Sequence, residues 1–311
     1  MITSIFSKSR PFNYILVTVL MVCFFFVSET HDTAWTNSSG GIIIKTGCLL
    51  LLLFALFLTN FVTKRNGMSK DSTYPFLFYF VFLVFFPGLF SDPSLIAANF
   101  FVLLALRRLI SLQSLITPKE KIFDASLWIF AAALFKFWCI LYLLIVFISI
   151  IFHVSRDYRN WVIPFVALLS AGTIFVLCSL LFEPLWIERL WDGAYVDTSF
   201  EYFRDNRENL ALSLYAAVSV LFFFAMLFSL GSKPLILHSS YKKILFSFVV
   251  GVAVFVLSPA KGNALLSFTY MPLAIMATSY IEGLSSQWAK EGFSLGVCLV
   301  AIACFVMQVG L

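Results

Sequence analysis

The chain has 311 residues, of which 61% are hydrophobic, 18% aromatic and only 12% charged, with a formal net charge of +5. That leaves too little polar surface to clothe a water-soluble globule of this length, which excludes soluble enzymes and soluble binding modules. The long apolar stretches approach the roughly 20 residues that cross about 30 Å of hydrocarbon as helix, and they are continuous rather than alternating, which excludes an outer-membrane barrel. The expected fold class is therefore all-α, a polytopic transmembrane helical bundle in which each backbone group is satisfied within its own segment.

Lys8 and Arg10 precede the first expected span, 12–28. The residues "VSET" that close it lack a small-x-small cleavage pattern and more spans follow, so it is read as an uncleaved first helix. The next stretch, "SETHDTAW" at 28–35, gathers Glu29, His31 and Asp32 within four positions. It is either a solvated loop or an acid–base or metal-binding group held at the end of a helix. Spans are expected next at 42–62, 74–90 and 94–112. Asp92 lies between Ser91 and Pro93, where a carboxylate or hydroxyl ordinarily caps a helix beginning at Pro93 or Ser94. A carboxylate at that mouth is also a candidate ligand for a divalent cation.

The stretch 122–153, "IFDASLWIFAAALFKFWCILYLLIVFISIIFH", is too long for one ordinary span and short for two. Charge arbitrates. If it is a hairpin turning near Lys136, into spans 122–135 and 137–153, then one side of the membrane receives fifteen of the 21 Lys and Arg residues, among them Lys64, Arg65, Arg107, Arg108, Arg156 and Lys243. By the positive-inside rule that side is the cytoplasm, and the N-terminus lies there. Lys136 itself either snorkels to the outer interface or holds a lipid phosphate, because an ammonium within an apolar run costs on the order of 3 kcal/mol on insertion scales.

After the span at 161–182 comes the longest extramembrane stretch, 183–209, "EPLWIERLWDGAYVDTSFEYFRDNREN". Trp186, Leu190 and Trp191 share one helical face, which predicts a short helix lying in the outer interface. Arg189, Arg204 and Arg207 interrupt an otherwise acidic outer face, each able to pair with a neighbouring carboxylate or to fork onto phosphate oxygens. Spans at 210–230, 243–258, 264–281 and 293–309 complete eleven. Lys261 sits in the tight outer turn "SPAKGNALL", shaped by Pro259 and Gly262. The chain reads as a single transmembrane domain over 1–311, with no soluble domain.

The three histidines, His31, His153 and His238, fall in three separate loops, so an all-histidine metal site cannot form. There is no P-loop and no dinucleotide fingerprint, which removes ATPase and nicotinamide chemistry. The basic residues are explained by topology, so nucleic acid is not a partner. All six cysteines lie inside apolar spans and read as packing residues, not as disulfides or zinc ligands.

At 87–152 the pattern "PGLFSDPSLIAANFFVLLALRRLISLQ", a short basic loop, and "KIFDASLWIFAAALFKFWCILYLLIVFI" resembles the central part of C-superfamily glycosyltransferases, which use polyprenyl-phosphate sugars. "TYMPLAIMATSYIEGL" at 269–284 is similar to their late helix with an aromatic-x-x-Pro start. The first outer loop is much shorter than in those enzymes, and no soluble acceptor-binding domain is present. The whole chain also resembles an uncharacterised family of Bacteroidetes inner-membrane proteins. The resemblance implies transfer of a sugar from a polyprenyl-phosphate carrier to an acceptor at the outer face of the inner membrane. In that reading Asp32 is the base, with Glu29 or His31 orienting it. Lys136, Arg204 and Lys261 bind phosphate, and Asp92 is the candidate ligand for a divalent cation. Two other readings stay open: a carrier or flippase for a lipid-linked substrate, and a non-catalytic scaffold for envelope assembly. Membrane lipids are partners in all three.

Overall fold

The computed structural model describes residues 2–30, 34–197, 205–259 and 261–310. They form thirteen α-helices, with no strand among the described residues: α1 (Ile2–Phe6), α2 (Pro11–Ser28), α3 (Ser39–Arg65), α4 (Tyr74–Val84), α5 (Pro93–Ile110), α6 (Pro118–Phe135), α7 (Leu143–His153), α8 (Arg159–Phe182), α9 (Leu185–Asp192), α10 (Asn206–Ser229), α11 (Leu235–Leu257), α12 (Tyr270–Gly283) and α13 (Gln287–Val309). Pro11, Pro93 and Pro118 each open a helix, where the missing N–H has no intrahelical partner to lose. Among the described residues eight segments are long and apolar enough to cross a membrane: α2, α3, α5, α8, α10, α11, α13, and α12 together with the turn before it. The chain is a multi-pass membrane protein.

The other three expected spans fall on different structure. The segment at 74–90 is helical only as far as Val84, then passes into a 3-10 turn at Pro87–Ser91. Pro87 has no N–H to donate and its ring crowds the carbonyl four residues back, so Phe86 leaves the helical region, at φ -131° and ψ 88°, and the helix stops. The segment at 137–153 begins as a 3-10 helix, Phe137–Tyr142, before α7. α6 has 18 residues but carries Lys119, Glu120, Lys121 and Asp124 in its first two turns. A third 3-10 entrance, Asn263–Thr269, precedes α12.

Side-chain contacts fix which connections share an end of the bundle. At the end that holds the N-terminus, the amide of Thr73 donates to the Phe6 carbonyl, Lys119 pairs with Asp157 at 3.1 Å, and Ser69 and Ser72 donate to Glu282 at 2.7 and 2.6 Å. At the opposite end Asp92 meets Lys136, Trp138 donates to the Tyr195 carbonyl, and Asn263 donates to the Glu208 carbonyl. The chain therefore turns back at Lys136, as the charge argument expects.

α4 and α12 form the centre. All eleven residues of α4 are buried, as are Tyr270–Ser279 of α12. The segment containing α12 is 89% buried across its apolar window, whereas α8 is only 11% buried and lies at the rim against α6 and α7. Both are apolar all round, so amphipathicity does not separate them. α12 carries Ala274, Ala277, Thr278 and Ser279, small residues that let neighbouring backbones approach, but α8 carries Ser170, Ala171, Gly172 and Thr173, so small residues do not separate them either.

Breaking helices inside a bundle frees carbonyls that water cannot reach, and the structure supplies donors at two of the three breaks, the turn at Pro87 and the entrance to α12. Gln308 donates to the Phe85 carbonyl at 2.8 Å, Lys45 reaches the Phe90 carbonyl at 3.4 Å, and the Tyr142 hydroxyl donates to the Phe268 carbonyl at 3.1 Å.

One expected boundary is corrected. α11 starts at Leu235, not 243, so Lys242 and Lys243 lie within a helix and not in a loop. Lys243 is 1% exposed; its ammonium donates to the Leu109 carbonyl at 2.6 Å and lies 3.2 Å from His153 Nε2. A cation on the last carbonyls of α5 is favoured by the helix dipole, which gives this buried lysine a structural role.

Candidate functional site

Of the site residues expected from sequence, the described ones, Glu29, Asp92, Lys136 and Lys261, lie at the end of the bundle opposite the N-terminus. Glu29 follows the last residue of α2 and is buried, and one of its oxygens accepts from Lys45 at 2.6 Å. Its second oxygen is buried without a hydrogen-bond partner. Lys45 comes from the second turn of α3, an outer cation that the sequence gives no role. The same ammonium touches the Phe90 carbonyl, which ties the pair to the 3-10 turn leading to Asp92.

Asp92 caps α5, as the ordinary use of that position predicts: Oδ1 accepts from the Leu95 amide at 2.9 Å. Oδ2 accepts from Lys136 at 2.9 Å. The two residues expected to serve a metal ion and a phosphate are thus joined to each other, with the lysine 27% and the carboxylate 36% exposed. Among the described residues no group of three or more His, Cys, Asp or Glu side chains is placed to hold a metal ion.

Lys136 also borders a cavity of about 190 Å3 walled by Phe135, Trp138, Gly193, Ser258 and Leu265. Ser258 and Pro259 bring the turn that carries Lys261 to the same place. A Cβ on Gly193 would stand 3.4 Å from the Phe137 Cβ, in ordinary van der Waals contact, so α9 packs closely on the Lys136 turn here. The remaining expected residues, His31, Asp32 and Arg204, lie outside the described residues.

Phe135 is shared with a larger space that sequence reasoning missed. A groove of about 560 Å3 runs between α6 and α8, walled by Leu127, Ala131, Ile174 and Phe175 and closed at one end by Trp186, Arg189 and Leu190 of α9. Ala131 and Ala171, small residues on facing helices, leave this volume; the small-residue runs at 131–133 and 170–173 are the signal that could have found it.

A short helix does form where one is expected, as α9, with one difference in how its face is used. Trp186 and Leu190 turn inward, while Trp191 is 69% exposed. Glu183 fixes its first turn by accepting from Trp186 Nε1 at 2.7 Å and from Arg189 at 2.9 Å. The arginine is 64% exposed, so this pairing contributes little net stability and leaves guanidinium donors accessible.

A helical bundle with eight helices long and apolar enough to cross a membrane among the described residues defines the class: a polytopic integral membrane protein. The family model described as "Family of unknown function (DUF6427)" matches residues 1–310, and the chain belongs to that family. No curated protein and no solved structure matches it.

Proposed function

We propose that the protein binds a polyprenyl-phosphate-linked sugar at this end of the bundle and transfers the sugar to an acceptor at the outer face of the cytoplasmic membrane. One observation carries the reading: an apolar groove open to lipid ends at an exposed arginine and shares Phe135 with the cavity bordered by Lys136. An isoprenoid chain fits the first part and its phosphate lies between the two, because a guanidinium forks onto phosphate oxygens and the half-buried Lys136 ammonium is a point charge for them.

In the transfer, Asp32 takes the proton of the acceptor hydroxyl and that oxygen bonds to the anomeric carbon. The bond from that carbon to the phosphate oxygen breaks, and the lipid phosphate leaves with the electron pair, its charge held by Arg189 and Lys136. Arg204 and Lys261 remain candidates for the same phosphate, and Asp92 for a divalent cation beside it. On this reading all eleven apolar segments cross the membrane, with the N-terminus in the cytoplasm and the C-terminus outside.

The test uses purified protein and a C55 polyprenyl phosphate. Native mass spectrometry is expected to show one retained lipid, lost on Ile174→Trp, which fills the groove, and weakened about tenfold by Arg189→Gln. Asp32→Asn is expected to bind normally and to release no lipid phosphate from the glycosylated carrier. Retention unchanged by both groove variants would sink the reading.

A second reading, movement of a lipid-linked substrate without chemistry, is favoured by the three 3-10 interruptions, since broken helices are a recurring device of transporters. Unaltered transport by Asp32→Asn in vesicles, with no glycosyl transfer by either form, would select it.

A further inference from the structure

At the other end of the bundle, where the N-terminus lies, three cations surround an aromatic groove that the reading above does not use. The groove has a volume of about 700 Å3 and is lined by Tyr14 of α2 and by Phe57, Asn60, Phe61, Lys64 and Arg65 of α3. The guanidinium carbons of Arg65 and Arg107 stand 5.9 and 5.3 Å from the centre of the Phe61 ring, one from α3 and one from α5. Among the described residues neither arginine has a carboxylate within ion-pair distance. Two like charges drawn to one ring without a counter-ion repel, and a single anion between them reverses the sign of that interaction.

The remaining polar groups are arranged for the same occupant. Lys64 donates to Ser9 and to the Tyr14 hydroxyl at 2.7 and 3.1 Å, and its one carboxylate partner, Asp71, lies 3.7 Å away and is 87% exposed. Asn60 is 8% exposed and donates to Tyr14, while its own Oδ1 is buried with no partner. That oxygen accepts a hydroxyl proton and repels a phosphate, so it suits the glycerol part of a headgroup and not the phosphate itself. Phe54, Phe57 and Phe61 are 58, 42 and 43% exposed along the lipid-facing side of α3, where acyl chains would run.

We infer that this groove is a binding site for an anionic glycerophospholipid. Its phosphodiester sits between Arg65, Arg107 and Lys64, its glycerol hydroxyl on Asn60, and its chains lie along the α3 phenylalanines. A bare cation cluster would serve any anion; the aromatic shelf continuing toward the hydrocarbon selects one carrying acyl chains.

The experiment is native mass spectrometry of the full-length protein in detergent with cardiolipin as probe, phosphatidylethanolamine as zwitterionic control and millimolar inorganic phosphate as competitor. Cardiolipin is expected to be retained at least tenfold better than phosphatidylethanolamine and not displaced by phosphate. Arg65→Gln/Arg107→Gln is expected to abolish that preference, and Lys290→Gln, at the same end, to leave it intact. If the double variant does not purify folded, Arg107→Gln alone is expected to cut retention several-fold. Equal retention of both lipids, displacement by phosphate, or a preference surviving in the arginine variants would overturn the inference. Ile174→Trp leaves this site untouched, so its failure and that of the polyprenyl site are read separately.

Discussion

Lys45→Met should be among the most damaging single changes at the outer end. At 2.6 Å, with Glu29 only 2% exposed through its side chain, the pair's attraction is about 6 kcal/mol at an effective dielectric of ~20. Desolvation of two ions consumes most of this, so the intact pair is close to neutral in net terms. Removing the lysine leaves the carboxylate buried with no cation and the Phe90 carbonyl without this donor, and the expected loss is about 3–5 kcal/mol. Glu29→Gln should cost less, because Lys45 is 13% exposed and keeps its contact with Phe90. The double variant, which removes both charges while keeping their volumes, should recover most of the loss. Thermal unfolding in detergent, followed by tryptophan fluorescence for all four proteins, measures the cycle. A Lys45→Met variant within 1 kcal/mol of the parent, or a double variant as unstable as the single, would refute the account.

Gly67→Ala should destabilise by about 1 kcal/mol, because Gly67 has φ +68° and ends α3 in a Schellman turn, its amide donating to Lys64 and that of Met68 to Thr63; thermal midpoints report it. Asp92→Asn keeps an equally good helix cap while deleting the partner of Lys136, so a loss of under about 1 kcal/mol is expected, and a loss above 3 would mean that the pair is far less solvated than described. Asp157 is held below the usual carboxylate range first by the Arg159 amide and then by Lys119. A depressed folded value means that its contribution is present above about pH 4 and fades as pH falls through the folded value. The thermal midpoints of the parent and Asp157→Asn should therefore differ at neutral pH and converge in acid, and a gap that widens below pH 4 would contradict the sign.

What was legible in the sequence was local. Pro93 and Pro118 mark helix starts, Asp92 marks a cap, and the cation distribution identifies Lys136 as the turn of a hairpin whose ends meet Asp92 and Asp157. The break of α4 was also local in origin, at Pro87, although "FPGLFSDP" sits so near the expected end of its span that a run of phenylalanines carried the helix through it. Pairings between distant segments were not legible. Nothing near Lys45 in sequence points to Glu29, and nothing near Arg107 points to Phe61. Burial was invisible for a related reason: lipid and protein interior accept the same side chains, so α4 and α8 read alike although one is wholly enclosed and the other almost bare. The groove between α6 and α8 follows from that ambiguity, since its walls are small residues that look like packing until both helices are placed.

The donation from Gln308 to the Phe85 carbonyl joins residues 223 positions apart. During synthesis, at ~5–20 residues per second, the interval between them is roughly 10–45 s. Throughout that time the end of the innermost helix lacks its final donor. The broken helix at the heart of this protein is therefore a late-closing joint, and it stays open to quality-control proteases that sample half-inserted chains until the last helix arrives.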